Sequence, residues 1–212
     1  MVTAEISVDI GSPEPEKLET IAGVLKNQGV VVYPTDTFYG LGADCFSEDA
    51  VSKVFHLKGR DWNKPLSLVI ADMEMLQEVV SRIPPVFEAV AGRFWPGPLT
   101  IVFEASWSLP ENLHAGSGSI AVRLPDHPWL RQLIRHAGFP ITATSANISG
   151  GREVQHPSQA GDIFSGRVDM LVDGGPTRGG LPSTVLDIRG HPRLLREGAV
   201  PAEKLKDFLP SP

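Results

Sequence analysis

The spacing of apolar residues predicts helices alternating with strands along the first half of the chain. After Ser12 and Pro13, which we expect to cap and open a helix, apolar side chains recur at helical spacing. The continuous apolar run 30–33 then predicts a buried strand. The next helix is expected to be capped by Ser47 and to end near Lys58, so the alternation begins early in the chain.

Further apolar runs extend this alternation, and closely spaced strands near the C-terminal end indicate antiparallel pairing there. The remaining strands are predicted at 66–71, 99–105, 119–124, 141–144, 168–173, 184–188 and 193–196. The remaining helices are predicted at 72–80, from Pro84 or Pro85 to about 94, at 127–137, at 157–164 and from Pro201 to 209. The pattern favours a mixed α/β fold with a central mixed sheet flanked by helices.

Length and composition limit the class of protein. The 212 residues suit one domain and no linker is long enough to separate two, so we expect a single domain over 1–212. The one cysteine, Cys45, excludes an intramolecular disulfide and a cysteine-rich zinc site. Neither a signal peptide nor an apolar stretch of membrane-spanning length is visible, so we expect a cytoplasmic protein without membrane association. The formal net charge of −6 argues against broad non-specific nucleic-acid binding but allows a local basic cleft.

Three polar stretches carry the candidate chemistry. Residues 33–40 read Tyr-Pro-Thr-Asp-Thr-Phe-Tyr-Gly, residues 58–66 read Lys-Gly-Arg-Asp-Trp-Asn-Lys-Pro-Leu, and residues 144–150 read Thr-Ser-Ala-Asn-Ile-Ser-Gly. Hydroxyls, amides and cations of this kind suit a site for a polar, anionic ligand. The three stretches must converge in the folded chain to act as one site.

Each stretch also has a plainer interpretation. Asp36 can cap its own backbone in a turn, and Asn147 can bond to local backbone in the third stretch. Lys58, Arg60 and Lys64 can hold a phosphate or belong to a solvated turn, and in extended backbone Lys58 and Arg60 would share a face. The residues alone leave these alternatives open.

Two arginines and a serine add to this set. Arg123 lies inside an apolar strand, where it needs a carboxylate from the protein or from a ligand. Arg196 can pair within the protein or face a nucleotide, and Ser183 can belong to simple turn chemistry. The sequence contains no P-loop, dinucleotide fingerprint, nucleophile elbow or His-Glu-x-x-His motif, and its six histidines show no metal spacing, so no metal site is predicted.

Six motifs in a fixed order resemble those of a known family. They are Tyr-Pro-Thr-Asp-Thr-x-Tyr-Gly-Leu-Gly at 33–42, Lys-x-Arg at 58–60 with Lys-Pro-Leu at 64–66, Trp-Pro-Gly-Pro-Leu-Thr at 95–100, Val-Arg-Leu-Pro at 122–125, Thr-Ser-Ala-Asn at 144–147, and Ser-Thr-Val-Leu-Asp at 183–187 followed by Leu-Arg-Glu-Gly at 195–198. Over residues 15–200 the chain strongly resembles the YrdC/Sua5 family, the L-threonylcarbamoyladenylate synthases.

The resemblance implies a fold, a reaction and partners. The fold is a twisted, mixed open α/β sheet flanked by helices, with a large concave cleft. The reaction converts L-threonine, bicarbonate or CO2 and ATP into threonylcarbamoyl-AMP and pyrophosphate, for modification of adenosine 37 in tRNA. We expect Mg²⁺ to arrive with the ATP rather than in a dedicated protein site. Whether tRNA or the downstream threonylcarbamoyl-transferase machinery binds the chain stays open.

The resemblance also implies roles for individual residues. It assigns catalytic roles to Lys58 and Arg60, with Lys58 where pyrophosphate would leave. The residues implied to bind ATP are Arg60, Lys64, Ser119, Ser145, Asn147 and Arg196, and those implied to bind threonine are Thr37, Arg123 and Ser183.

The chain departs from the family pattern in small ways. Asp61 and Trp62 follow Arg60 where the family often has proline, and Glu153 stands where many relatives carry a small hydroxyl residue, so no role is carried over to Glu153. The extra C-terminal domain of the longer Sua5 type is not expected, which indicates the short, YrdC-like form. Two other functions stay open: an RNA-binding module of this fold, and a paralogue that uses a different amine or carbamoyl substrate.

Overall fold

The structure, a computed structural model, describes residues 2–210 and arranges them as two mixed β-sheets with helices packed around them. The strands are β1 (Ala4–Ser7), β2 (Val31–Pro34), β3 (Tyr39–Gly42), β4 (Ser67–Val69), β5 (Val80–Arg82), β6 (Leu99–Ala105), β7 (Ser119–Arg123), β8 (Ile141–Thr142), β9 (Thr144–Ser145), β10 (Met170–Asp173), β11 (Thr184–Asp187) and β12 (Arg193–Arg196). The helices are α1 (Pro15–Lys26), α2 (Glu48–Lys58), α3 (Met73–Val79), α4 (Phe87–Phe94), α5 (Glu111–His114), α6 (Pro128–Ala137), α7 (Pro157–Phe164) and α8 (Ala202–Leu205), which a 3₁₀ turn (Lys206–Phe208) follows.

The strands divide into two sheets, where the sequence pattern predicted one. The five-stranded sheet has the order β1-β10-β2-β3-β9, and the seven-stranded sheet has the order β12-β11-β6-β7-β4-β8 with β5 paired to β6. Both sheets mix parallel and antiparallel neighbours, for example parallel β10 and β2 but antiparallel β2 and β3. The mixed α/β class is therefore confirmed, and the number of sheets is corrected.

The two sheets meet at Ala143. The sequence predicted one strand over 141–144, but the chain leaves the seven-stranded sheet after β8 and enters the five-stranded sheet at β9. At the crossing, the Ala143 N–H donates to the carbonyl of Ser67 over 2.7 Å, and the Thr142 N–H donates to that of Ala43. The junction brings the ends of β3, β4 and β9 close to one another.

Helix boundaries follow local signals where a cap is present. Ser47 accepts a hydrogen bond from the Ala50 N–H at the start of α2, as predicted, and Asp72 accepts one from the Met75 N–H at the start of α3. The predicted start of the first helix is wrong, because α1 begins at Pro15. That proline occupies the first turn, where its missing N–H costs nothing.

The buried core explains why β3 carries two glycines. Tyr33 of β2 lies flat against β3, and a Cβ added at Gly42 would approach its ring to 2.7 Å. Pairing of Tyr33 with Gly40 across the two strands places the ring over this glycine face. The β2–β3 hairpin is thus a rigid, buried floor from which the polar segment 35–38 projects.

No helix among residues 2–210 combines the length and the apolar character that crossing a membrane requires.

Candidate active site

A cavity of about 230 Å³ lies where the two sheets meet. Its walls are the β2–β3 hairpin, the ends of β4, β7 and β9, and the segments that flank β11 and β12. The lining residues are Tyr33, Thr35, Thr37, Phe38, Tyr39, Gly40, Arg60, Ser67, Leu68, Thr100, Arg123, Ala143, Thr144, Ser145, Glu153, Pro182, Ser183 and Arg196.

This cavity brings together most of the candidate residues identified from the sequence. The candidates that line it are Thr37, Arg60, Arg123, Ser145, Ser183 and Arg196. Four others do not line it: Lys58, Lys64, Ser119 and Asn147. Side chains up to 159 residues apart in sequence therefore share one space, as a common site requires.

Arg123 meets a carboxylate of the protein. Its NH1 group donates to both oxygens of Asp36, over 2.8 and 2.9 Å, and the two side chains are 9% and 14% exposed. Asp36 therefore does not simply cap its own turn. Because Asp36 engages NH1, the Nε and NH2 groups of Arg123 can still donate to a second carboxylate.

The turn that carries Asp36 is built by the Thr35 hydroxyl. That oxygen accepts hydrogen bonds from the backbone N–H groups of Thr37 and Phe38 and donates to the Phe38 carbonyl over 2.7 Å. The segment is bent rather than extended. The Thr37 hydroxyl, half-buried and 3.3 Å from that of Thr35, still lines the cavity.

Lys58 and Arg60 diverge instead of sharing a face. Lys58 is the last residue of α2, and Gly59 follows in a left-handed conformation at φ 56°. This turn sends Arg60 to the cavity wall while Lys58 stays buried. The helix end predicted near Lys58 is confirmed, and the extended backbone in which the two residues would share a face does not occur, because a helix C-cap occupies this position.

Lys58 fixes the third polar stretch, 144–150, through hydrogen bonds from its buried ammonium group. Its ammonium donates to the carbonyl of Ser145 over 2.5 Å and to both the carbonyl and the side-chain oxygen of Asn147 over 2.8 Å. Burial, followed by the charge of Arg60, lowers the pKa of Lys58 to about 8, and Glu153 opposes this shift. Lys58 thus remains mainly charged at neutral pH and fixes the loop whose Ser145 faces the cavity.

Asn147 completes this network. Its side-chain oxygen accepts from the Ser145 hydroxyl over 2.8 Å, and its side-chain nitrogen donates to the Gly151 carbonyl over 2.7 Å. With Lys58 on the same oxygen, the buried amide has a partner for each of its polar atoms. Asn147 therefore shapes the loop beside the cavity and does not line it.

Arg60 and Arg196 also line the cavity, and both are held by neutral oxygens. Arg60 donates to the carbonyls of Lys64 and Pro65 over 3.0 and 2.8 Å. Arg196 donates to the carbonyl of Ser183 over 2.8 and 3.2 Å. No carboxylate within residues 2–210 forms an ion pair with either guanidinium, so both charges remain available to an anion.

Two of the predicted ATP-binding residues lie outside the cavity wall. Lys64 is exposed on the loop that Arg60 closes, and its backbone carbonyl rather than its ammonium makes the contact with Arg60. Ser119 begins β7, at the end of the strand opposite Arg123, and its hydroxyl lies 2.8 Å from that of Ser117. Both roles stay predictions.

Several cavity residues were given no role on sequence grounds. Tyr33 and Tyr39 are buried in the floor, and burial raises the pKa of Tyr39 to about 12. Thr100 and Ser183 share a hydrogen bond of 2.8 Å. Glu153 was noted only as a departure from the family pattern. The signal available for Thr100 was its place at the start of a predicted strand beside a Gly-Pro turn.

Among residues 2–210, no group of three or more His, Cys, Asp or Glu side chains has an arrangement that could hold a metal ion. Glu153 is the one described carboxylate on the cavity wall. Partial burial raises the pKa of this carboxyl, while the charges of Arg196 and Lys58 oppose that effect.

Comparison with known proteins adds family information to this geometry. The model of the Sua5/YciO/YrdC family, described as telomere recombination, matches residues 23–198. The threonylcarbamoyl-AMP synthase of Pyrococcus abyssi is 40% identical to the chain, with 92% of the chain and 58% of the relative covered. The putative threonylcarbamoyl-AMP synthase of Mycobacterium tuberculosis is 33% identical, with 95% of the chain and 94% of the relative covered.

A solved structure of similar shape is that of P. abyssi Sua5 complexed with L-threonine. Its TM-score to this chain is 0.90 at 37% identity, and the match covers 98% of this chain and 61% of that chain. The chain therefore spans about three fifths of the length of the P. abyssi proteins that it matches.

Proposed function

Because the chain belongs to the Sua5/YciO/YrdC family, we propose that it is an L-threonylcarbamoyladenylate synthase, which forms threonylcarbamoyl-AMP and pyrophosphate from L-threonine, bicarbonate or CO2, and ATP. The observation that carries the proposal is the convergence of Thr37, Arg60, Arg123 and Arg196 on one cavity. A small polar pocket beside two uncommitted cations suits an amino acid next to a polyphosphate.

The threonine substrate is proposed to bind beside Arg123. Arg123, held by Asp36 through one nitrogen, has donors left for the substrate carboxylate. Thr37 and Ser183 line the same cavity as Arg123. This proposal is supported by the name of the P. abyssi structure, which was solved with L-threonine.

ATP is proposed to bind against Arg60 and Arg196. Arg60 and Arg196 offer guanidinium groups that are fixed by carbonyl oxygens and can each donate to phosphate oxygens. Ser145 presents its hydroxyl from the loop that Lys58 and Asn147 support. In this arrangement Lys58 is a positioning residue, and Lys64 and Ser119 are expected to reach the nucleotide only outside the cavity described above.

The chemistry needs no covalent intermediate on the protein. The threonine amine adds to CO2 and loses a proton, which gives an N-carboxylate. That carboxylate attacks the α-phosphorus of ATP, the bond to the β-phosphate oxygen breaks, and pyrophosphate leaves. The protein contributes by aligning the two substrates and by neutralising charge on the phosphates, the two effects that dominate phosphoryl-type transfers.

Mg²⁺ is proposed to enter with the nucleotide. The carboxylate of Glu153 and the hydroxyls of Thr37 and Ser145 supply oxygen donors, the type that Mg²⁺ takes. When bound, the ion would neutralise phosphate charge. One protein carboxylate together with substrate phosphates is a usual way to hold this ion.

We favour this reaction over an RNA-binding module and over a paralogue with a different substrate. The names of the relatives support the synthase, and the candidate residues line a cavity of about 230 Å³ rather than an extended basic face. A cytoplasmic location and binding of tRNA or transferase machinery remain predictions.

The test is a reaction containing the chain, ATP, bicarbonate and radiolabelled L-threonine. We expect a labelled adenylate and pyrophosphate in equal amounts, and neither product when threonine or bicarbonate is omitted. Pyrophosphate release that does not depend on threonine would contradict the proposal. Binding of tRNA with steep salt dependence and without pyrophosphate release would favour the RNA-binding alternative.

A further inference from the structure

Glu153 places a carboxylate on the wall of a cavity that otherwise offers cations and hydroxyls. Its backbone position is well fixed. Two residues earlier, the Gly151 carbonyl accepts from the Asn147 amide over 2.7 Å, and on the other side the Val154 carbonyl accepts from the Tyr39 N–H over 2.8 Å. The Val154 side chain is buried. The carboxylate therefore projects from an anchored segment, although the side chain itself is exposed.

The positive charges of Arg196 and Lys58 attract the Glu153 carboxylate, but no described group contacts it directly. Within residues 2–210 it forms no ion pair and no side-chain hydrogen bond, even though Arg60 and Arg196 line the same cavity. Asp36, by contrast, is fully engaged by Arg123. A carboxylate that stabilises the fold would be expected to show such a partner.

A lone carboxylate at this place conflicts with binding of a polyphosphate. Like charges a few ångströms apart repel strongly near a protein surface, and the loss would weaken nucleotide binding. The conflict disappears when a divalent cation lies between the carboxylate and the phosphates, because each then faces the opposite charge. Mg²⁺ is commonly held by one or two carboxylates and substrate phosphates.

We propose that Glu153 is the protein ligand, direct or through water, for the divalent cation that accompanies the nucleotide in this cavity. The inference rests on the proposed function, since it requires that ATP binds there. It assigns to this chain a metal contact supplied by the segment 151–154. It also explains why a carboxylate can be tolerated among the groups that bind phosphate.

The experiment measures the affinity of the whole chain for ATP by isothermal titration calorimetry, without threonine, once with Mg²⁺ and once with EDTA. The quantity of interest is the ratio of the two dissociation constants, which reports how much Mg²⁺ strengthens binding. For Glu153→Gln we expect weaker binding of Mg²⁺-ATP, tighter binding of metal-free ATP, and a ratio that falls about tenfold, the scale of one charge–charge interaction.

Glu88→Gln is the matched control. Glu88 lies exposed in the first turn of α4 and outside the cavity wall, so this variant removes one negative charge from the chain without altering the site. Its ratio is expected to equal that of the unmodified chain. Thermal melting of both variants checks that the fold is retained.

Three results would overturn the inference. If Glu153→Gln changes both affinities by the same factor in either direction, Glu153 acts on the nucleotide without a cation. If the ratio is unchanged, Glu153 has no part in metal binding. If the unmodified chain binds ATP in neither condition, the proposed function itself fails and the inference fails with it, so the two failures can be told apart.

Discussion

The two ends of the β11–β12 hairpin hold arginines in opposite ways. At the cavity end, Arg196 of β12 donates to the carbonyl of Ser183, and no carboxylate of residues 2–210 pairs with it. At the far end, Arg189 and Arg193 both donate to the carboxylate of Asp187, at distances of 2.8 to 3.3 Å. Arg193 and Arg196 lie only three positions apart on one strand.

The partner of each arginine indicates whether the arginine can bind a ligand or serves to stabilise the fold. A carbonyl oxygen fixes the orientation of a guanidinium but leaves its positive charge uncancelled, so the group remains ready for an anion. A buried carboxylate cancels that charge and ties the arginine to the fold. Arg60 belongs to the first kind, and Arg123 combines both, because Asp36 engages one of its nitrogens. The partner of an arginine, more than its exposure, therefore indicates its function here.

Removing either of the cavity arginines that lack a carboxylate partner should have the largest effect on activity. We expect Arg196→Ala and Arg60→Ala each to lower the rate of threonine-dependent pyrophosphate release on the order of 10²-fold, the usual loss for one electrostatic stabiliser. Stability should change by less than about 1 kcal/mol, because these side chains are partly exposed and their carbonyl partners can bind water. The measurements are initial rates at saturating threonine and unfolding in urea.

Arg193→Ala, on the same strand as Arg196, is the matched control and should keep the full rate. Equal losses in Arg193→Ala and Arg196→Ala would show that the two ends of the hairpin do not differ in the way described. A normal rate in both cavity variants would count against the proposed synthase.

Much of the fold could be predicted because its signals are local. The helix α2 was predicted from Ser47, whose cap is observed, and α7 was predicted with its observed bounds from Pro157. Strands β1 and β3 were missed, since β1 is stabilised by pairing with β10, far away in sequence, and β3 contains Gly40 and Gly42. Glycine disfavours strands unless another group packs closely, as Tyr33 does here, and that contact is not visible in the sequence.

The site could be predicted only in part, for a similar reason. Residue types and family motifs pointed to Arg60, Arg123 and Arg196, which the fold brings to one cavity. They could not show that Lys58 turns inward, because this depends on the left-handed Gly59. They also left Glu153 without a role, because the role of a carboxylate depends on the charges that the fold places around it.

Removing the Asp187 charge at the far end of the β11–β12 hairpin should reduce stability and leave activity unchanged. Asp187 is 3% exposed and accepts hydrogen bonds from Arg189 and Arg193. Asp187→Asn should lower the free energy of unfolding by about 2 kcal/mol, the scale of hydrogen bonds to a charged group. Urea unfolding measures this change. A loss of rate with unchanged stability would contradict the structural assignment.

The Asp187 carboxylate should also make the free energy of unfolding depend on pH under acidic conditions. Hydrogen bonding from the Arg189 side chain, aided by Arg193, lowers the pKa of Asp187 below its ordinary value of 3.8. The folded state therefore binds its proton less readily than the unfolded state. The stabilisation is fully present above that ordinary value and is lost as the pH falls through the folded pKa.

The corresponding measurement is urea unfolding of the wild type and Asp187→Asn from about pH 5 to about pH 2. The stability difference between the two proteins should shrink as the pH falls. A difference that stays constant over this range would mean that the Asp187 charge contributes nothing.

Arg193→Ala should have the smallest effect of the series. Its side chain is 69% exposed and its bond to Asp187 is the longest of the cluster, while Arg189 keeps three shorter ones. An exposed ion pair contributes little, so the free energy of unfolding should fall by about 0.5 kcal/mol. Double replacement with Asp187→Asn should then cost no more than Asp187→Asn alone, because the partner of Arg193 is already gone. A larger, additive loss would show that Arg193 stabilises β12 by packing of its aliphatic part rather than through the carboxylate.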